Sequence, residues 1–147
     1  MINHESCMRL ALQEAKKAYQ QGEVPIGCVI ASKNTGNIIA KTYNQVETLQ
    51  DPTAHAEIIA ITAACEYLGA KYLHDCILYI TLEPCLMCSG AIFWAQIPTV
   101  IYGASDSKYG VTQYTQQVFN KRITITGGIL ENECKTLLQQ FFKEKRK

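Results

Sequence analysis

Nowhere in its 147 residues does the chain approach the run of roughly 20 apolar residues that a membrane helix requires, so a soluble protein is expected. The first 21 residues, MINHESCMRLALQEAKKAYQQ, lack the basic start, apolar run and small-residue cleavage site of a secretory signal, and carry Glu5 and Glu14 among their apolar positions. A cytoplasmic location follows as the expectation. Net charge is nearly absent: 14 Lys and Arg stand against 13 Asp and Glu, without the strongly basic balance of a dedicated nucleic-acid binder. The one basic cluster, FFKEKRK at 141–147, reads as a solvated helix end favoured by the helix dipole. Internal repeats, linkers and low-complexity tracts are missing as well, and the length suits one domain, 1–147, with a proper core. No disulfide framework is visible either. The seven cysteines, Cys7, Cys28, Cys65, Cys76, Cys85, Cys88 and Cys134, are odd in number and irregularly spaced, and without an export signal they read as reduced thiols, mostly core residues.

What the chain does have is a 48% hydrophobic content set in readable periods. Met8, Ala11, Leu12, Ala15 and Tyr19 recur at helical spacing and Gly22 supplies a stop, which predicts an amphipathic helix over roughly 4–21. VPIGCVIAS, NTGN and IIAKTYN then read as strand, turn and strand, a hairpin ending at Asn44. Asp51-Pro52-Thr53 breaks the chain before a second helix, AHAEIIAITAACEYLGA, which closes near Gly69. CILYITL at 76–82 is a short β-branched run of the kind buried on both faces. A helix follows Pro84 through CLMCSGAIFWAQI; then come a strand TVIYGA, a last strand RITITGGI and a closing helix from LENECKTLL onward. This order predicts an α/β sheet with helices on its faces and parallel central strands. The segment 105–121, SDSKYGVTQYTQQVFNK, has no firm assignment, and long segments of that kind are often functional.

Cys85 and Cys88, in TLEPCLMCSG, are the only two thiols close enough for joint chemistry. Proline is tolerated in a first helical turn, so Pro84 is expected to mark a helix start with both cysteines in that turn. Residues three apart share a helix face, with Cβ atoms about 5–6 Å apart, so both sulfurs can reach one tetrahedral zinc; the positive helix end also favours thiolates. A thioredoxin-like redox pair and plain core packing remain open on these residues alone. His55 is the candidate third ligand. Two Cys and one His leave a tetrahedral position for water, as in a catalytic rather than structural zinc site, and Glu57, two residues on, is a carboxylate placed to carry protons. A structural zinc module would need a fourth ligand from Cys28, Cys65 or Cys76. Neither that reading nor the redox one gives Glu57 a purpose.

HAE followed by PCLMC is the H-x-E and P-C-x-x-C signature of zinc-dependent nucleobase deaminases. DPTAHAE at 51–57 and TLEPCLMCSGAI at 81–92 resemble the cytidine and nucleoside deaminase superfamily. GEVPIGCVI at 22–30, Asn44, IYGASDSKYG at 101–110 and GILENECKTLLQQFF at 128–142 resemble its bacterial tRNA-specific adenosine deaminase branch, so that the likeness covers most of the chain. The resemblance implies a three-layer α/β/α cytidine-deaminase-like fold, a five-stranded mixed sheet with helices on both faces. It implies one Zn2+ per chain on His55, Cys85 and Cys88, with Glu57 catalytic, and conversion of adenosine to inosine at the wobble position of a tRNA anticodon loop. Asn44 and the backbone N–H of Ala56 are implied as base contacts, Asp106 as a residue near the RNA backbone with Lys108 beside it, and a homodimer whose partner helps shape the RNA site. Tyr109 and Tyr114 are candidates to stack on unpaired bases. Between the GASDSK motif and the last strand, however, the chain carries YGVTQYTQQVFNK, shorter than the usual stretch of that branch. LGAKYLHDCILY at 68–79 resembles guanine deaminases. The alternative is therefore a small-molecule guanine/purine or cytosine/cytidine deaminase acting on a free base or nucleoside.

Overall fold

Asn3 opens the first helix, its side chain accepting the Ser6 N–H at 2.8 Å, and Glu5 complements the positive end. This helix, α1 (His4–Gln20), buries Cys7, Met8, Ala11, Leu12, Ala15 and Ala18 along one face and ends before Gly22, whose φ of +77° supplies the expected stop. The computed structural model describes residues 2–114, 119 and 122–146. After α1 the elements run β1 (Gly27–Ser32), β2 (Ile38–Tyr43), α2 (Val46–Leu49), α3 (Ala56–Leu68), β3 (Cys76–Leu82), α4 (Leu86–Ala95), β4 (Thr99–Ala104), a 3-10 turn at Val111–Gln113, β5 (Thr124–Thr126) and α5 (Glu131–Lys145). Among the described residues no helix is long and apolar enough to cross a membrane.

The sheet order is β2-β1-β3-β4-β5. The β3–β4 and β4–β5 pairs are parallel, whereas β1 is antiparallel to both neighbours. The sheet is thus five-stranded and mixed, and the parallel character expected of the central strands stops at β3. Alternating side chains on the inner strands serve two cores. Val29, Ala31, Ile77, Tyr79 and Ile101 pack with Met8, Ala11 and Leu12 of α1 and Cys134 of α5. Ile30, Leu78, Ile80 and Val100 pack on the other side with Ala56, Ala60 and Ala64 of α3 and Ile92 of α4. Helices therefore cover both faces, which is the three-layer arrangement. All seven cysteines are free, and five of them, Cys7, Cys28, Cys76, Cys88 and Cys134, are buried.

Three local expectations need correction. The last strand spans only Thr124–Thr126 of the expected RITITGGI; beyond it Gly127 is pressed against the Tyr102 ring, where a Cβ would lie 2.1 Å from Cζ, and Gly128 N–H donates to Gly103 O at 3.1 Å. The short helix α2 has no counterpart in the sequence periods. It is held by buried Glu23, whose carboxylate accepts the N–H groups of Glu47 and Thr48 at 3.0 and 2.6 Å and the Thr48 hydroxyl at 2.7 Å. Finally, Cys85 is not in the first turn of α4 but is its N-cap, with φ −76° and ψ 176°. An isolated bridge from Cys85 to Gly110 and the Val111 N–H donated to Pro84 O keep this stretch extended.

Candidate active site

Both metal-ligand segments meet at helix N-termini. His55 is the N-cap of α3 and Cys85 the N-cap of α4, and neither side chain makes a capping hydrogen bond. They face each other instead. His55 Nδ1 lies 3.7 Å from Cys85 Sγ and 3.5 Å from Cys88 Sγ, and the three ligand atoms all fall within 4.8 Å of one another. A tetrahedral zinc with bonds of about 2.3 Å to sulfur and 2.0 Å to nitrogen separates its N and S ligands by about 3.5 Å. The residues present therefore fit zinc in both chemistry and spacing. Among the described residues this group has three members; Cys28, Cys65 and Cys76 do not belong to it, which removes the four-ligand structural module. Burial pushes the Cys28 thiol well above its ordinary range, with the Glu57 charge adding to the effect.

The electrostatics suit a metal. The hydrogen bond from Cys88, followed by the one to His55, holds Cys85 down to about 4 despite burial, while Cys88, which donates to it, is shifted upward. His55 is raised, first by the Cys85 sulfur. Glu57, the second residue of α3, is only 4% exposed, and burial lifts its carboxyl to about 7, against lowering by its own backbone N–H. A carboxyl in that range suits a group that must both take and return a proton.

A cavity of about 370 Å³ lies over this cluster, lined by His55, Glu57 and Cys85 together with Ile26, Leu82, Glu83, Leu86, Met87, Asp106, Tyr109 and Tyr114. A second, of about 540 Å³, shares Ile26 and His55 and extends past Asn44 and Pro52 to Phe141, Phe142 and Lys145 on α5. A third, of about 500 Å³ around Trp94 and Pro98, contains none of the ligands and lies away from the chemistry.

Asn44 is buried beside α3, and its Oδ1 accepts the Ala56 N–H at 2.8 Å. That N–H, expected to meet a base, is thus satisfied within the protein because Asn44 reaches it first; Nδ2 is left as the donor of the pair. Asp106 turns its carboxylate onto its own loop, with Oδ1 accepting the N–H groups of Lys108 and Tyr109, each at 3.0 Å. Lys108 Nζ sits 5.8 Å from the Tyr109 ring centroid, within cation–π range. Tyr109 and Tyr114 are 60% and 41% exposed at the cavity, available for stacking. Residues 115–118, 120 and 121, part of the shorter stretch expected to bear on substrate choice, lie outside the described residues. Sequence reasoning assigned no role to Glu23 or Glu83, although both stand in quoted motifs, GEVP and LEPC. Their partners are 23 to 29 residues away, beyond any local spacing rule.

Residues 1–104 match the family model of the cytidine and deoxycytidylate deaminase zinc-binding region. The tRNA-specific adenosine deaminase of Aquifex aeolicus is 46% identical over 150 aligned residues, covering 99% of this chain and 97% of that protein. A solved structure from work on A-to-I editing by tRNA:A34 deaminases at the wobble position superposes with a TM-score of 0.84 at 40% identity, over 90% of this chain and 99% of that one. The guanine deaminase of Bacillus subtilis aligns at 42% identity and a TM-score of 0.67, over 76% of this chain and 73% of that one.

Proposed function

Since the chain belongs to the tRNA-specific adenosine deaminase family of zinc-binding deaminases, we propose that it converts adenosine to inosine at the wobble position of a tRNA anticodon loop. Water replaces the 6-amino group, which leaves as ammonia. The observation that carries this reading is the juxtaposition of the His55, Cys85 and Cys88 ligand set with buried Glu57 at a cavity flanked by two half-exposed tyrosines. His55, Cys85 and Cys88 would hold a zinc ion, which would supply the Lewis acidity that makes water nucleophilic near neutral pH. Glu57 takes the proton from the attacking water, delivers it to ring N1 as the oxygen adds to C6, and serves again as the amino group departs. Asn44, its oxygen fixed by Ala56 N–H, presents Nδ2 to the purine. Asp106 holds the turn that carries Tyr109, and Lys108 meets the phosphate backbone. Tyr109 and Tyr114 stack on unpaired neighbours.

The 42% identity to a guanine deaminase keeps a second reading, a free-base deaminase, in view. An assay of ammonia release settles between them, offering an anticodon stem-loop with adenosine at the wobble position alongside free guanine, adenine, cytosine and cytidine. Release from the stem-loop is expected; release from guanine alone would overturn the first reading.

The same reading takes 1–147 as one catalytic domain in the cytoplasm, where tRNA is used, and as half of a homodimer. Helix α4 is apolar on all sides, and Leu86, Met87, Phe93 and Trp94 lie exposed along it with Gly90 between, where a Cβ would meet nothing within 4 Å. Tyr67 and Leu68, at the end of α3, are exposed as well. Trp94, 75% exposed, is the largest anchor on α4. Trp94→Glu is expected to weaken self-association by about 2 kcal/mol or more, seen as a shift from dimer to monomer in sedimentation equilibrium. An unchanged dimer would place the interface elsewhere.

A further inference from the structure

Glu83 takes no part in the chemistry above, yet the residue is only 3% exposed and its carboxylate accepts three hydrogen bonds. Oε1 accepts the Asp106 N–H at 3.0 Å; Oε2 accepts the Thr112 N–H at 2.7 Å and the Thr112 hydroxyl. The backbone beside Glu83 is fastened to the end of β4 and to the same loop. Glu83 N–H donates to Ala104 O and Val111 N–H to Pro84 O, both at 2.8 Å. Gly110 packs so closely on the carboxylate that a Cβ there would lie 2.3 Å from Glu83 Cδ and 2.5 Å from Asp106 O. A buried carboxylate with three donors, all from one loop, is more than a core residue needs.

We propose that Glu83 is a positioning residue for the substrate: its carboxylate clamps residues 106–112 so that Asp106 and Tyr109 form one wall of the cavity that His55 and Glu57 also line. The assignment rests on the deaminase reading for its kinetic consequence but not for the clamp itself. Glutamine is the discriminating replacement. It keeps the volume, yet offers one acceptor oxygen in place of two and turns an NH2 donor toward an N–H that is already a donor. At least one loop amide then loses its acceptor, which shifts the loop's opening equilibrium by about tenfold.

The test uses the zinc-loaded full chain. In Glu83→Gln the amides of Asp106 and Thr112 should exchange with deuterium about tenfold faster, zinc content should stay at the wild-type level, and KM for the stem-loop should rise about tenfold with kcat within about threefold. Unchanged exchange at both amides overturns the clamp. So does loss of zinc with unaltered loop exchange, which would make Glu83 a support for Cys85 instead. A fall in kcat without a rise in KM assigns it to the chemistry and also overturns the proposal. Should Glu83→Gln not fold, Thr112→Val replaces it. Thr112 is exposed, and the change deletes only the hydroxyl donor; about threefold effects of the same kind are expected, and none at all is the overturning result. If the wild-type protein does not deaminate the stem-loop, the function proposed above fails while the exchange result still decides the clamp.

Discussion

Glu57→Gln should leave the protein folded and loaded with zinc while lowering kcat on the anticodon stem-loop by about a thousandfold, within the range of general acid–base contributions. The replacement is isosteric, and a neutral amide is easier to bury than a carboxylate at a position only 4% exposed. It cannot accept the proton of water or return one to the base. Cys88→Ser provides the contrast. Cys88 is fully buried and faces His55 Nδ1 at 3.5 Å, so its loss should remove zinc and activity together. Metal analysis beside single-turnover kinetics separates the two cases, and a Glu57→Gln enzyme within tenfold of wild type would mean that the proton moves by another route.

Gly27→Ala should be the most damaging single methyl group in the chain. A Cβ at residue 27 would sit 1.9 Å from Ala11 O, 2.5 Å from Ala15 N and 2.9 Å from Glu14 Cβ, so the backbone of α1 lies directly on the first residue of β1. Two of those three atoms belong to main chain, which cannot rotate away; the whole helix must lift, opening the core around Met8 and Leu12. We expect a loss of about 3 kcal/mol, the upper end of overpacking costs, and a melting temperature lower by about 10 °C. Thermal unfolding of the zinc-loaded protein measures it. A change under about 1 kcal/mol would show that α1 rides on the sheet more loosely than this contact requires.

Where the chain's periods are long, its sequence reads almost to the residue. The first helix was expected over 4–21 and runs His4–Gln20, and CILYITL and TVIYGA coincide with β3 and β4. Reading fails where a distant partner decides. Helix α2, four residues long, is too short to show a period and depends on Glu23, more than twenty residues earlier. Local proline chemistry put Cys85 inside α4, but the bridge to Gly110 pulls it out by one position. The ligand set survived that shift because an N-cap and the third residue of a helix stand on the same side, as in a capping box. The engagement of Ala56 N–H by Asn44 likewise belongs to packing between β2 and α3, and no spacing rule carries it.

Glu23 and Glu83 hold two walls of the site, and both do so chiefly by gripping peptide N–H groups: those of Glu47 and Thr48 on one side, of Asp106 and Thr112 on the other. Every residue except proline brings such a group. Apart from two threonine hydroxyls, the Asp106 turn and the bare Cα of Gly110, then, the walls are anchored without reference to which side chains they carry, and the remaining side chains can change while the cavity keeps its shape. Such a frame can be inherited whole and re-lettered at its rim, so new substrates become reachable through changes that leave the metal ligands and the core untouched.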